Sequence, residues 1–384
     1  MDVTIQPGLL RGKILVIPSK SQAHRLLICA ALADGETTII CPETNRDIEA
    51  TADCLRALGA GICRTEHSYE VTPIGVLPEK ATLNCCESGS TLRFMLPVAG
   101  ALGVEATFLM EGRLPQRPLS PLWEEMERMG CALSRPTENT IRCVGKLQPG
   151  NYTVDGSVSS QFITGLLLAL PLIGGDSSLE VTGKVESKPY IDMTKAAMEL
   201  FGIPAYCTPG LITVEGDWSN GAFWLAANAL GSELDIRGLN PDSVQGDRTV
   251  EKILPALLEG MATVSAADIP DLVPILSVVA AANHGSVFTD IQRLRIKESD
   301  RVASTIAMIR SLGGKAEATE SALTVYGTGL TGGTVDAWGD HRIAMSAAIA
   351  ATVCRTNVTI LGAQAVNKSY PRFWEEYRRL GGKL

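Results

Sequence analysis

Eight cations stand at or just before stretches that read as helix starts: Lys20, Arg25, Arg93, Arg117, Lys297, Arg301, Arg342 and Lys368. So many positive charges at helix entrances imply a strongly anionic ligand set, since a helix N-terminus itself favours anions. Lys20, Ser21 and Arg25 precede the wholly apolar run 26–32, which keeps water away from them. Ser88-Gly89-Ser90-Thr91-Leu92-Arg93 puts small residues ahead of a helix, and Gly89 allows close backbone approach. It lacks the GKS/T of a P-loop. Arg117 could fork onto a carboxylate or phosphate and could equally be a surface arginine. Ser159, Ser160, Gln161 and Ser187 offer neutral donors. In the run 293–301, RLRIKESDR, the four-residue spacing of Lys297 and Arg301 predicts one helical face with Glu298 beside them. A carboxylate held among cations is a proton-transfer candidate. Asp271 is another, because it heads the apolar run 272–282. Taken singly, each Ser or Asp head serves equally well as an N-cap. His24 reads better as a structural group than as a base.

An internal repeat positions these residues. A polar head, an apolar Ala-rich helix, a turn and a β-branched strand recur at 19–40, 88–110, 159–181, 219–236, 269–291 and 340–361. An amphipathic helix follows each and ends at a glycine: Gly59, Gly130, Gly202, Gly260, Gly313 or Gly381. Glycine there predicts a left-handed cap. Two strand-like runs usually follow, so the unit is roughly βαβαββ, six times over. The strands at 3–5 and 13–17 lack preceding helices and are expected to complete the sixth unit. The fold class is therefore α/β. Two pseudo-symmetric domains, each of three βαβαββ units with buried helices, would divide the chain into 1–18 plus 217–384 and 19–216. The helix heads would face an active site in the interdomain cleft.

Composition narrows the function. The formal net charge is −8 and the pI about 5.2, which argues against a nucleic-acid binder. Ten scattered cysteines form no CxxC, and four histidines show no zinc spacing. Free thiols in a reducing cytoplasm are expected. The N-terminus does not read as a signal peptide, and the apolar runs 272–282 and 162–173 are too short to span a bilayer.

The motifs PSKSQAHRLLICAALADGET, SGSTLRF, RPL, SSQFITGLLLALP, SKPYIDMT, QGD, IPD, KESDR, DHRIAM and KSYP stand in this order. Together they resemble the enolpyruvylshikimate-phosphate synthases, over essentially the whole chain. That family's fold, two domains of three βαβαββ units, agrees with the repeat. The resemblance implies that Lys20, Ser21 and Arg25 grip shikimate 3-phosphate, the last two at its carboxylate. Ser159, Ser160 and Ser187 would hold its phosphate, Gln161 would lie between both ligands, and Asp271 and Lys297 would meet the attacking 5-hydroxyl. Phosphoenolpyruvate would meet Lys20, Gly89, Arg117, Gln161, Arg301, Arg342 and Lys368. Asp271, Glu298 and Lys368 would be catalytic, the first two in proton transfer. Glu87 and Arg293 stand where many members have Asn, so no role is carried over to either. The chain is somewhat shorter than typical, which suggests trimmed loops.

The implied reaction joins the enolpyruvyl group to the 5-hydroxyl and releases phosphate, in the shikimate pathway of aromatic amino-acid biosynthesis. It requires neither cofactor nor metal, because the bond that breaks is C–O. A cytoplasmic monomer is expected, with two small-molecule partners and no nucleic acid or membrane. It should be open when free, close with shikimate 3-phosphate, and be glyphosate-sensitive through the space at Gly89. The sister family acting on UDP-N-acetylglucosamine typically carries a cysteine in the loop that is 111–117 here, and this loop has none. A silent scaffold is disfavoured by the intact Asp271, Glu298 and Lys368. An RNA-end cyclase is disfavoured by the acidic composition.

Overall fold

The Ala/Leu-rich runs form helices that bury almost every face, each flanked by short strands. The computed structural model describes all residues, Met1–Leu384. The chain folds as two compact units, one of Pro18–Glu215 and one of Met1–Ile17 with Gly216–Leu384.

The chain begins with β1 (Val3–Ile5) and β2 (Arg11–Leu15). The first repeat comprises α1 (Lys20–Ala31), β3 (Thr37–Ile40), α2 (Arg46–Ala57), β4 (Gly61–Arg64) and β5 (Ser68–Thr72). The second comprises β6 (Lys80–Asn84), α3 (Gly89–Leu102), β7 (Glu105–Leu109), α4 (Leu122–Arg128), β8 (Cys131–Thr137) and β9 (Thr140–Gly145). The third comprises β10 (Asn151–Asp155), α5 (Ser160–Ala169), β11 (Ser178–Thr182) and α6 (Lys188–Leu200), followed by β12 (Leu211–Thr213).

The fourth repeat comprises α7 (Trp218–Ala229), β13 (Glu233–Arg237) and α8 (Val250–Glu259). The fifth comprises β14 (Ala262–Ser265), α9 (Val273–Ala282), β15 (Ser286–Thr289), α10 (Arg301–Ser311), β16 (Lys315–Ala318) and β17 (Ala322–Tyr326). The sixth comprises β18 (Gly333–Asp336), α11 (His341–Ala350), β19 (Val358–Leu361) and α12 (Phe373–Arg379).

The complete repeats share one topology. Their sheets run β6-β7-β9-β8 and β14-β15-β17-β16, with the first pair parallel and the rest antiparallel. The first repeat forms β12-β3-β5-β4, so its leading strand is β12, from the far end of the same unit. Reciprocally, β2 lies parallel to β13 (Arg11 opposite Glu233). In the sixth repeat β19 pairs in parallel with β18 and antiparallel with β1, and Gln6 bridges Lys383.

Three expectations need correction. Only β1 closes the sixth repeat, because Pro7, with no N–H, follows the Gln6 bridge and the chain leaves for β13. The third and fourth repeats lack the trailing hairpin. Residues 201–210 carry Pro204 and Pro209, while α8 leads straight into β14. Gly260 is extended (φ 177°), unlike Gly59, Gly130, Gly202, Gly313 and Gly381, which have positive φ. It is itself the last capping position of α8, whereas the others follow a capping residue.

Each unit has its own apolar core. In one, α7, α9 and α11 pack together. In the other, α3 meets α5 so closely that a Cβ at Gly165 would lie 2.2 Å from the Arg93 carbonyl oxygen. All ten cysteines are free, and no helix is long and apolar enough to cross a membrane.

Candidate active site

In the Pro18–Glu215 unit, helix caps build the first cluster. Ser19, Ser88 and Ser159 accept the N–H groups of Gln22, Thr91 and Gln161. A capping hydroxyl used as acceptor still has its own proton to donate. Ser187 heads α6 in the left-handed region (φ 54°) and is buried. A serine held there is strained, which is more often tolerated at functional positions than elsewhere.

Arg93 donates to Gln161 Oε1 (3.0 Å) and to the Pro118 carbonyl (2.9 Å), and Gln161 Nε2 donates to Ser90 (3.0 Å). A Cβ at Gly89 would lie 2.6 Å from Nη1 of both Arg93 and Arg117. Glycine therefore lets two guanidinium groups converge over one backbone position. Lys20 Nζ meets Asp47 Oδ2 at 2.9 Å, with both side chains about 15% exposed. Arg25 donates to Thr194 (2.8 Å), the Tyr190 carbonyl (2.9 Å) and the Ser21 carbonyl. Burial brings its pKa down to about 10. His24 hydrogen-bonds Thr51 (2.7 Å) and is held neutral, by burial first and then by Lys20 and Arg25. That suits a structural group.

In the other unit, Arg301 organises the second cluster and is 1% exposed. Its Nε donates to Asp340 (2.9 Å), Nη2 to Glu298 (2.6 Å) and Nη1 to Asp271 (2.5 Å). Arg342 Nη2 donates to the second oxygen of Asp271 at 2.8 Å. Burial would raise the Asp271 pKa, but Arg342, Arg301 and Lys297 outweigh it and hold the carboxyl well below the usual range. Burial lowers Lys297 to about 7, helped by Arg293 and Arg301 and opposed by Asp271. Lys368 Nζ donates to the Gly339 carbonyl (3.1 Å), and its neighbour Ser369 accepts from Asn220 on α7 (3.2 Å). Asp340 caps α11 and also takes a bond from Ser299 (3.0 Å).

The EPSP synthase (3-phosphoshikimate 1-carboxyvinyltransferase) family matches residues 5–257 and 256–377. A 3-phosphoshikimate 1-carboxyvinyltransferase of Clostridium kluyveri is 38% identical over 422 aligned residues, covering 100% of this chain and 98% of that protein. One of Clostridium acetobutylicum is 37% identical over 419 residues, with 100% and 98% coverage. The chain belongs to the EPSP synthase family. An EPSP synthase structure from Acinetobacter baumannii shares the fold at TM-score 0.80 and 22% identity, covering 99% of this chain and 98% of that one. The enolpyruvyl transferase NikO from Streptomyces tendae does so at TM-score 0.76 and 16% identity.

For this family member, the structure gathers Ser21 with Arg25, and Gly89, Arg117 and Gln161 with Arg93, inside one unit. Ser159, Ser160 and Ser187 stand at the heads of α5 and α6. Asp271, Glu298, Arg301 and Arg342 gather in the other unit, with Lys297 acting on Asp271. Lys368 is fixed to the residue before Asp340. Lys297 and Arg301 do not share a helical face, because α10 begins only at Arg301 after its Asp300 cap. Lys297 ends the 3-10 turn Gln292–Ile296 in extended conformation. Sequence reasoning missed Asp47 and the pairing of Asp340 with Arg301. Both contacts span long stretches of chain, and only the Asn45 cap two residues before Asp47 marked a helix start there.

Proposed function

We propose that this chain transfers the enolpyruvyl group of phosphoenolpyruvate to the 5-hydroxyl of shikimate 3-phosphate and releases phosphate. The observation that carries the reading is the placement of two carboxylates, Asp271 and Glu298, on the single guanidinium of Arg301, with Lys297 beside them. Asp271, an ionised carboxylate, takes the hydroxyl proton in this reading; the cations that keep it ionised also weaken it as a base, so the transfer accompanies C–O bond formation, when the hydroxyl becomes acidic. Glu298, when protonated, gives its proton to the methylene carbon of phosphoenolpyruvate, and the 5-oxygen bonds to the C2 that becomes cationic; the carboxylate so formed is placed to take the proton back from the new methyl group. Loss of a proton from the new methyl group then expels phosphate by C–O cleavage. Lys20, Ser21, Arg25, Ser159, Ser160, Gln161 and Ser187 hold shikimate 3-phosphate in this reading. Lys20, Gly89, Arg117, Gln161, Arg301, Arg342 and Lys368 hold phosphoenolpyruvate, with Lys368 also catalytic. The substrates together bring roughly five to six negative charges, which the buried cations offset.

The enzyme is taken to act as a cytoplasmic monomer. The test is phosphate release from phosphoenolpyruvate with shikimate 3-phosphate, and separately with UDP-N-acetylglucosamine. Release with the first alone, suppressed by millimolar glyphosate, is expected. Release with the second, or with neither, overturns the reading.

A further inference from the structure

Two loops of the Pro18–Glu215 unit close on one another beside Gly89. One, residues 85–89, joins β6 to α3. The other, residues 110–117, follows β7 and carries Arg117. At their base the Cys85 N–H donates to the Leu109 carbonyl (2.9 Å) and the Glu111 N–H to the Cys86 carbonyl (2.7 Å). Beyond that, a charged side chain of each loop lies on a glycine of the other. Arg117 covers Gly89, where a Cβ would lie 2.6 Å from its Nη1. Glu87 covers Gly112, where a Cβ would lie 1.8 Å from its Oε1, 2.7 Å from Cδ and 3.0 Å from Cγ. Gly112 is left-handed (φ 56°), so any other residue there would be strained and would also take the carboxyl group's place. Cys86, just before Glu87, is left-handed too (φ 49°), a strained turn fixed by its N–H bond to Asn84 Oδ1 (3.0 Å). Past Gly112 the chain is coiled tightly. The N–H groups of Leu114, Gln116 and Arg117 donate to the carbonyls of Glu111, Arg113 and Leu114 (3.1, 3.1 and 3.2 Å), so a shift at Gly112 is passed on to Arg117. Arg46 also reaches Glu111 (3.1 Å), but those side chains are 59% and 47% exposed and such a pair holds weakly.

We propose that Glu87 is a positioning residue for Arg117: its side chain, laid on Gly112, fixes the 110–117 loop so that the guanidinium stands over Gly89. The proposal rests on the reading that Arg117 meets phosphoenolpyruvate. It goes further in giving a task to a residue that stands where many members of the family have Asn.

The test is a double-mutant cycle read on the KM for phosphoenolpyruvate. Glu87→Ala should raise it about tenfold, the scale of a binding group displaced rather than removed. Gly112→Ala puts a methyl group where the carboxyl group lies. It should raise the KM in the parent to a similar extent, and by less than about twofold in the Glu87→Ala background, where the contact is already gone. The Kd for shikimate 3-phosphate alone should stay unchanged in the single and double variants, which also shows that they fold. Amide hydrogen exchange supplies a readout that needs no catalysis. The Glu111 and Arg117 N–H groups should exchange at least about tenfold faster in Glu87→Ala, while those inside α3 keep their protection. An unchanged KM in Glu87→Ala, additive effects of the two substitutions, a parallel rise in the shikimate 3-phosphate Kd, or unchanged exchange in the 110–117 loop overturns the proposal. No phosphate release by the parent would instead overturn the functional reading, and the exchange rates would still decide whether Glu87 holds the loop.

Discussion

Arg301 commits three nitrogens to three carboxylates, an arrangement that only a planar fork can reach. A lysine keeps the charge and loses the geometry. Arg301→Lys should lower turnover at least 100-fold and cost about 2–4 kcal/mol of stability, the scale of breaking a buried ion pair. The sign of the pH effect follows from the acids it holds. Asp271 and Asp340 titrate below their unfolded values. The stability they contribute is therefore full above the ordinary carboxylate range, near pH 4, and is lost as pH falls through the folded values. In Arg301→Lys both values rise, so acid unfolding should begin at higher pH. Circular dichroism melts between about pH 3 and pH 7 check this. Unchanged acid behaviour would mean that the three contacts do not act as a unit. At this scale the sequence revealed the chemical types, since Asp271, Glu298 and Arg301 all stood out from their neighbours. It hid their grouping, because a residue's contacts 30 or 39 positions away depend on how strands and helices return.

The helix starts were readable because capping is local: Ser19, Ser88, Ser159, Asp300 and Asp340 each bond an N–H two or three residues on. Strand partners were harder to read. Both β1 and β2 are short, and the choice of β19 for one and β13 for the other rests on the path of the whole chain. The contact between α3 and α5 shows how packing reaches the site. Arg93, whose side chain holds Gln161, offers its backbone oxygen to the bare face of Gly165. Gly165→Ala would force a carbon into 2.2 Å of that oxygen and push the helices apart. The expected cost is about 1–3 kcal/mol, with a higher KM for phosphoenolpyruvate as Arg93 shifts relative to Gly89. A melting temperature equal to the parent's would show that the two helices separate freely.

No strand ladder is shared between the two units: β12 pairs with β3 in one, and β2 with β13 in the other. The segments by which the chain leaves and re-enters are also tied within their own units. Ser19 N–H donates to the Glu215 carbonyl (2.8 Å), and Asp217 N–H to the Ile17 carbonyl (2.9 Å). The stretch 18–215 should therefore fold when expressed alone, and residues 1–17 joined to 216–384 through a few glycines should fold as well. Cooperative melting of each, with dispersed amide resonances, is the expected result. Aggregation of both would mean that each depends on the other for its core.

Those two short ties give the chain the character of one gene product spliced into another. The chain passes from one unit to the other at 17/18 and 215/216, and cutting there severs no ladder. Relatives could then trade their 18–215 segments as cassettes, with the inherited half keeping the Arg301 carboxylates intact while the incoming half brings its own Gly89 and Arg117 environment.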